Sequence, residues 1–83
     1  MKLDIHNSNY CIMIAAIFNS KLYKPLTARQ WLKMHNIKII GDINYVGDNE
    51  FTYNLILPKS KSFWRMIIKK KYTRGIWILY GYQ

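Results

Sequence analysis

The chain has 83 residues, of which 13 are Lys or Arg and four are Asp or Glu, so its net charge is +9 at neutral pH. This length suits one domain with a small core. The single cysteine, Cys11, excludes an internal disulfide and a zinc site built from several cysteines. The longest apolar run, residues 10–18, is shorter than the roughly 20 residues of a membrane-spanning helix. We therefore expect a single cytoplasmic domain, residues 1–83, without a cofactor.

The N-terminal segment predicts one buried strand. Residues 1–9 alternate weakly between apolar and polar side chains, which is typical of a short edge strand or an unpaired arm. Residues 10–18 are continuously apolar and rich in β-branched residues, which favours a buried strand, although the pair Ala15-Ala16 keeps a helix possible. Within this run, Cys11 is expected to act as a small buried apolar residue.

A helix is predicted over residues 28–35, with Thr27 as its N-cap and Asn36 as its stop. One face of this helix would carry Ala28, Trp31, Leu32 and His35, while Arg29 and Lys33 lie on the opposite side. We expect His35 to be packed and hydrogen-bonded in this position. A general-base role is the weaker interpretation.

Two strands joined by a hairpin loop are predicted next. Residues 37–46 are mostly strand, with a bend or bulge at Gly41-Asp42, and residues 47–49 form the loop. Residues 50–57 follow as a strand that Pro58 ends. One face of that strand would carry Phe51, Tyr53, Leu55 and Leu57.

The segment 62–70 allows two interpretations. Its apolar and basic residues have helical spacing, which favours a helix, but residues 64–70 and 76–82 also suit a hairpin across residues 72–75. With the helix, the element order is β-α-β-β-α-β, that of a ferredoxin-like split βαβ fold of the α+β class. If residues 10–18 were helical, helices would instead pack on a three-stranded antiparallel sheet.

Positive charge is concentrated in the C-terminal third. Residues 58–83 contain seven basic residues and no acidic residue. Cations that reach one phosphate backbone, with aromatic residues between them, are typical of nucleic-acid binding. Residues 59–74 are therefore the predicted binding region for RNA or an acidic protein surface, and a merely solvated basic face is the alternative. The candidate binding residues are Lys61, Arg65, Lys69, Lys70, Lys71, Tyr72 and Arg74.

Other functional interpretations are less well supported. Phe51 and Tyr53 are spaced like base-stacking aromatics, but the preceding acidic residues favour a core role. Asp42, Asp48 and Glu50 flank a predicted loop, where turn chemistry explains them better than a metal site. A helix-turn-helix lacks a second helix after residues 28–35. No set of catalytic residues with recognisable spacing is present, so we expect no enzyme activity.

The sequence resembles, in general type only, the small inhibitors that phages use against nucleic-acid-guided defences, including anti-CRISPR proteins. The shared features are small size, dense charge and many residues with A/T-rich codons: Ile, Lys, Asn and Tyr make up 37 of the 83 residues. This resemblance implies a non-enzymatic inhibitor of an RNA or ribonucleoprotein effector, acting as a monomer or small homo-oligomer. The alternatives are a free-standing nucleic-acid-binding regulator and a toxin-like, metal-independent ribonuclease.

Overall fold

Five strands and one helix form the part of the chain that this computed structural model describes, residues 11–45 and 47–83. The elements are β1 (Cys11–Asn19), α1 (Pro25–Met34), β2 (Asn44–Tyr45), β3 (Glu50–Asn54), β4 (Met66–Thr73) and β5 (Ile76–Tyr82), with a short 3₁₀ turn at Lys61–Phe63. The strand or arm predicted for residues 1–9 lies outside the described residues. No helix among those described is long and apolar enough to cross a membrane.

The strands form one antiparallel sheet in the order β2-β3-β1-β5-β4. This arrangement confirms the α+β class. The ferredoxin-like split is not confirmed, because the predicted second helix is replaced by β4. The three-stranded alternative is not matched either, since β1 is a strand and the sheet has five.

β1 lies at the centre of the sheet and is buried on both faces. Ala16 and Phe18 belong to the core under α1, whereas Ala15 and Ile17 are buried on the opposite face. A register shift between Met13 and Ala15 marks a β-bulge in the pairing with β5. The continuous apolar run thus predicted this strand correctly, and Cys11 is buried in the core as expected.

Helix α1 begins earlier than predicted. Its N-cap is Lys24, and Pro25 occupies the first turn, where a missing backbone N–H leaves no hydrogen bond unmade. Thr27 is therefore inside the helix, and its prediction as the N-cap is wrong. The predicted stop is confirmed, because Asn36 has a φ of 57°. Ala28 and Leu32 are fully buried against the sheet, as their spacing predicted.

The core under α1 is built around the Phe18 ring. Phe51 stacks on it with ring centroids 5.5 Å apart, and Tyr23, Trp31 and Tyr53 meet it edge-on at 5.5, 6.0 and 6.2 Å. Phe51 and Tyr53 are both buried, so the core role predicted for them is confirmed. Burial raises the pKa of the Tyr53 hydroxyl. Aromatic contacts thus supply much of the apolar area that a domain of this size needs.

The segment before β3 contains less strand than predicted. Among the described residues of this segment, Asn44–Tyr45 forms the strand that pairs with β3, and Gly41, with a φ of 77°, bends the chain as expected. The predicted loop at residues 47–49 is confirmed by the pairing of Tyr45 with Phe51. β3 itself ends at Asn54, three residues early. The chain then leaves the sheet, so Leu57 is exposed and does not share the buried face.

The connection from β3 to β4 crosses the sheet face opposite α1. Near its end, the Trp64 ring lies over Gly81 of β5 and is almost fully buried. A methyl group at Gly81 would collide with the Trp64 ring and lie 2.6 Å from Ile14 Cδ1. Gly81 therefore provides the space in which Trp64 covers the second face.

β4 and β5 form the hairpin that was the second interpretation of the C-terminal sequence. The helix predicted over residues 62–70 is wrong, because residues 66–73 pair along β5 from Met66–Tyr82 to Thr73–Ile76. The turn contains Gly75 with a φ of 80°, where a Cβ would also lie 2.8 Å from Leu22 Cδ1. Trp64, which fits the apolar face of a helix, instead anchors the crossing connection.

The Trp64–Gly81 contact predicts a coupled pair of stability changes. Gly81→Ala should lower the free energy of unfolding by about 1–3 kcal/mol, because the rigid indole must move. Trp64→Ala should lower it by roughly 3–5 kcal/mol. In the Trp64→Ala background, the Gly81→Ala change should have a much smaller effect.

Urea denaturation of the wild type, the two single variants and the double variant measures this double-mutant cycle. Ser62→Ala is a control at an exposed position. Strictly additive effects would show that Gly81 is not required for the packing of Trp64.

Candidate nucleic-acid interface

The three consecutive lysines of β4 do not lie on one surface. β4 is an edge strand, and alternate residues of a strand point to opposite faces. Lys70 pairs with Ile78, a core residue under α1, so Lys70 is on the helix side. Lys69 and Lys71 are on the other side. The predicted helical row of Lys61, Arg65 and Lys69 is therefore wrong.

Lys69 and Lys71 share the sheet face opposite α1 with Trp77. In the cross-strand register, Lys71 pairs with Trp77, which in turn pairs with Ile17 of β1. Trp77 is half-buried, and both lysines are exposed. We call Lys69, Lys71, Trp77 and Glu50 the lysine face.

Two contacts of Lys69 define the geometry of the lysine face. Its Nζ lies 5.1 Å from the centroid of the Trp77 ring and 3.7 Å from Glu50 Oε2. Since Glu50 is on β3, the Lys69 side chain reaches over β5 and β1 toward it. Both partners are partly exposed, with side-chain exposures of 44% and 32%. Solvent screens such a pair, so it holds Lys69 only weakly.

The helix side of β4 carries Tyr72 and a cluster of rings. A register shift between Lys71 and Thr73 makes Tyr72 the extra residue of a bulge. The Tyr72 ring meets Trp31 and His35 edge-on, with centroids 5.3 and 6.0 Å apart. His35 stacks on Trp31 and forms a hydrogen bond to its carbonyl oxygen. The hydrogen bond expected for His35 is therefore present, but the expected packing is limited to the stack on Trp31, because the side chain is exposed.

The other predicted binding residues lie beyond the two ends of β4. Lys61 opens the 3₁₀ turn, and Arg65, just before β4, donates its backbone N–H to the Tyr82 carbonyl at 2.7 Å. Arg74 lies in the hairpin turn at the other end. An eight-residue strand separates Arg65 from Arg74, a distance of roughly 25 Å. The seven predicted residues thus follow β4 along its length and onto both of its faces.

Two of the aromatic residues interspersed with this charge are unavailable to a ligand. Trp64 and Tyr80 are buried, and burial is the main cause that raises the pKa of the Tyr80 hydroxyl. Trp77 and Tyr72 remain at the surface. The sequence could not predict which of these four aromatic residues are buried, because their burial depends on which face of each strand is covered.

A second group of cations was not predicted as a site. Arg29, Lys33 and Lys38 line a groove of about 520 Å³ between α1 and the segment that follows it. The sequence placed Arg29 and Lys33 on one helix face but gave no signal for Lys38, whose position depends on the turn at Asn36.

The acidic residues of the described chain do not cluster around a metal. Within residues 11–45 and 47–83, no group of three His, Cys, Asp or Glu side chains is placed to hold an ion. The Asp48 carbonyl accepts a hydrogen bond from Ser20 Oγ at 3.4 Å, which fits the predicted turn role. Glu50 instead faces Lys69.

The exposed Lys69–Glu50 pair yields a stability prediction. Glu50→Gln should change the free energy of unfolding by less than about 1 kcal/mol, because exposed ion pairs contribute little. Urea denaturation measures the change, and the same substitution in a Lys69→Met background should have no added effect. A loss above about 2 kcal/mol would show that the pair is a structural contact and does not leave Lys69 free for a ligand.

Comparisons with protein-family models, with curated proteins and with solved structures give no match to this chain.

Proposed function

We propose that this chain is a non-enzymatic RNA-binding protein that uses the β4–β5 hairpin as its interface. The observation that carries the proposal is the lysine face, where Lys69 and Lys71 flank a half-buried Trp77. Lysine side chains neutralise phosphates and release counterions, and an indole ring offers a surface for bases. The β4–β5 register, in which Lys71 pairs with Trp77, supports the proposal because it sets a lysine beside the indole.

Charge outside the lysine face supports the same proposal. The net charge of +9 attracts a polyanion from any direction, and Arg65 and Arg74 extend the cationic strand at both ends. A ligand that follows β4 would meet positive charge over roughly 25 Å. An extended phosphate backbone fits such a line better than a compact anion does.

Glu50 sets a condition on this binding. Its carboxylate lies where a phosphate would approach Lys69, so a bound strand must displace the Lys69–Glu50 pair. The pair is weak, and several phosphate contacts outweigh it.

The biological role that we propose is occupation of the RNA, or of the RNA-holding channel, of a host nucleic-acid-guided effector. The support is the small size and dense charge of the chain, the features by which it resembles anti-CRISPR-type inhibitors. Binding to free RNA would indicate that the hairpin seizes the strand. Binding only to the assembled effector would indicate docking on an acidic protein surface.

Charge removal on the lysine face should weaken RNA binding more than equal removal elsewhere. Lys69→Gln with Lys71→Gln should reduce affinity for a labelled RNA oligomer by at least about tenfold. It should also flatten the dependence of log affinity on log salt by about one to two units, because about two phosphate contacts are lost. Fluorescence anisotropy across a series of salt concentrations measures both effects.

The matched control is Arg29→Gln with Lys38→Gln, which removes the same charge from the groove beside α1. Equal losses in the two double variants would mean that RNA responds only to net charge and that the lysine face is not the interface.

RNA should remain intact in the presence of the purified protein. We expect labelled RNA to stay full-length at protein excess, with or without Mg²⁺, when it is analysed on denaturing gels. Multiple-turnover cleavage that disappears in a Lys69→Gln/Arg74→Gln variant would overturn the non-enzymatic proposal. The toxin-like ribonuclease would then be the better explanation.

A further inference from the structure

Three aromatic rings meet at the C-terminal end of α1, and the lysine face does not include them. Trp31 is on α1, His35 follows it by four residues as the C-cap of the helix, and Tyr72 reaches both rings from the β4 bulge. The Trp31 and His35 rings stack with centroids 4.0 Å apart and planes 27° apart. Tyr72 is nearly perpendicular to both rings. We call Trp31, His35 and Tyr72 the aromatic cluster.

The imidazole of His35 is held in one orientation. Its Nδ1 lies 2.8 Å from the Trp31 carbonyl oxygen, and because a carbonyl only accepts, Nδ1 must carry the hydrogen. Together with the stack on Trp31, this hydrogen bond fixes the ring plane. A ligand that used the ring would therefore lose little side-chain entropy on binding.

The aromatic contacts within the described part of the chain leave one face of the His35 ring without a partner ring. Trp31 covers the first face, and Tyr72 meets the ring at an interplanar angle of 86° with centroids 6.0 Å apart. His35 is an exposed residue, which fits a ring face that is accessible to a ligand. The outer face of His35 is thus a flat surface on which the ring of a ligand can continue the Trp31–His35 stack.

A cation lies on the same side of the sheet as this surface. Lys70 is exposed on the helix side of β4, as Tyr72 is. A flat aromatic face on the same side as a lysine suits a nucleotide, because the base can stack while its phosphate meets a cation.

We propose that the open face of His35 stacks an unpaired base of the bound RNA, which makes single-stranded RNA the preferred ligand. This inference rests on the proposed RNA-binding function. A base inside a duplex has both faces covered by its neighbours and cannot extend the Trp31–His35 stack. Only an unpaired or splayed base can do so.

The test compares three variants on two ligands by fluorescence anisotropy. The ligands are a labelled 12-nucleotide uridine oligomer and a 12-base-pair RNA duplex. The variants are His35→Ala, which removes the ring, His35→Phe, which keeps a planar ring, and Met34→Ala, a control at the exposed neighbouring position. Urea denaturation of each variant verifies its folding.

His35→Ala should weaken binding of the oligomer by roughly five- to a hundredfold, the range for loss of one stacked base. His35→Phe and Met34→Ala should bind it as the wild type does. The wild type should bind the duplex more weakly than it binds the oligomer. The three variants should bind the duplex with the wild-type affinity.

Two results separate this inference from the function on which it rests. The stacking inference would be overturned, and RNA binding left intact, if His35→Ala bound the oligomer with wild-type affinity. It would also be overturned if folded His35→Phe lost as much affinity for the oligomer as His35→Ala does. Failure of the wild type to bind either ligand would overturn both.

Discussion

The burial of β1 on both faces is the constraint on which the rest of the structure depends. Phe18 and Ala16 require cover on one face, and α1 supplies it through Leu32 and Ala28. The opposite face must also be covered, and within residues 11–45 and 47–83 the connection between β3 and β4 crosses it. That connection places β4 at the far edge of the sheet. The basic strand is exposed because the apolar strand is central.

An edge strand carries a structural requirement as well as a functional one. Its outer backbone groups are free to pair with another chain, and lysines together with bulges discourage such pairing. β4 has both, with three lysines and a bulge at Tyr72. The same residues thus discourage pairing at this edge and hold positive charge in solvent. This double role explains why lysines can occupy both faces of β4 without disturbing the core.

The sequence predicted those elements whose pattern is decided locally. The run at residues 10–18 is too uniformly apolar for an exposed strand, and Ala28 with Leu32 marks the buried face of α1. Segment 62–70 was assigned the wrong structure because its spacing fits a helix as well as an edge strand. The contact that decides between them, Trp64 over Gly81, joins residues far apart in sequence.

The sequence located the basic region of the candidate interface, but it did not predict which of its residues share a face of the sheet. Charge alone located Lys69, Lys70 and Lys71, since no acidic residue follows Glu50 in the chain. Their division between two surfaces depends on strand register, as does the meeting of Lys69 with Glu50. The contact of Tyr72 with Trp31 depends on a β-bulge that no local sequence pattern predicted.

The central claim is that the β4–β5 hairpin binds RNA, and chemical-shift mapping tests it most directly. The measurement is a titration of ¹⁵N-labelled protein with a short unlabelled RNA oligomer, followed by amide NMR spectra. We predict the largest shift changes along Met66–Thr73 and at Trp77, with residues of the groove beside α1 little affected. Changes confined to Arg29, Lys33 and Lys38, or no changes at all, would contradict the claim.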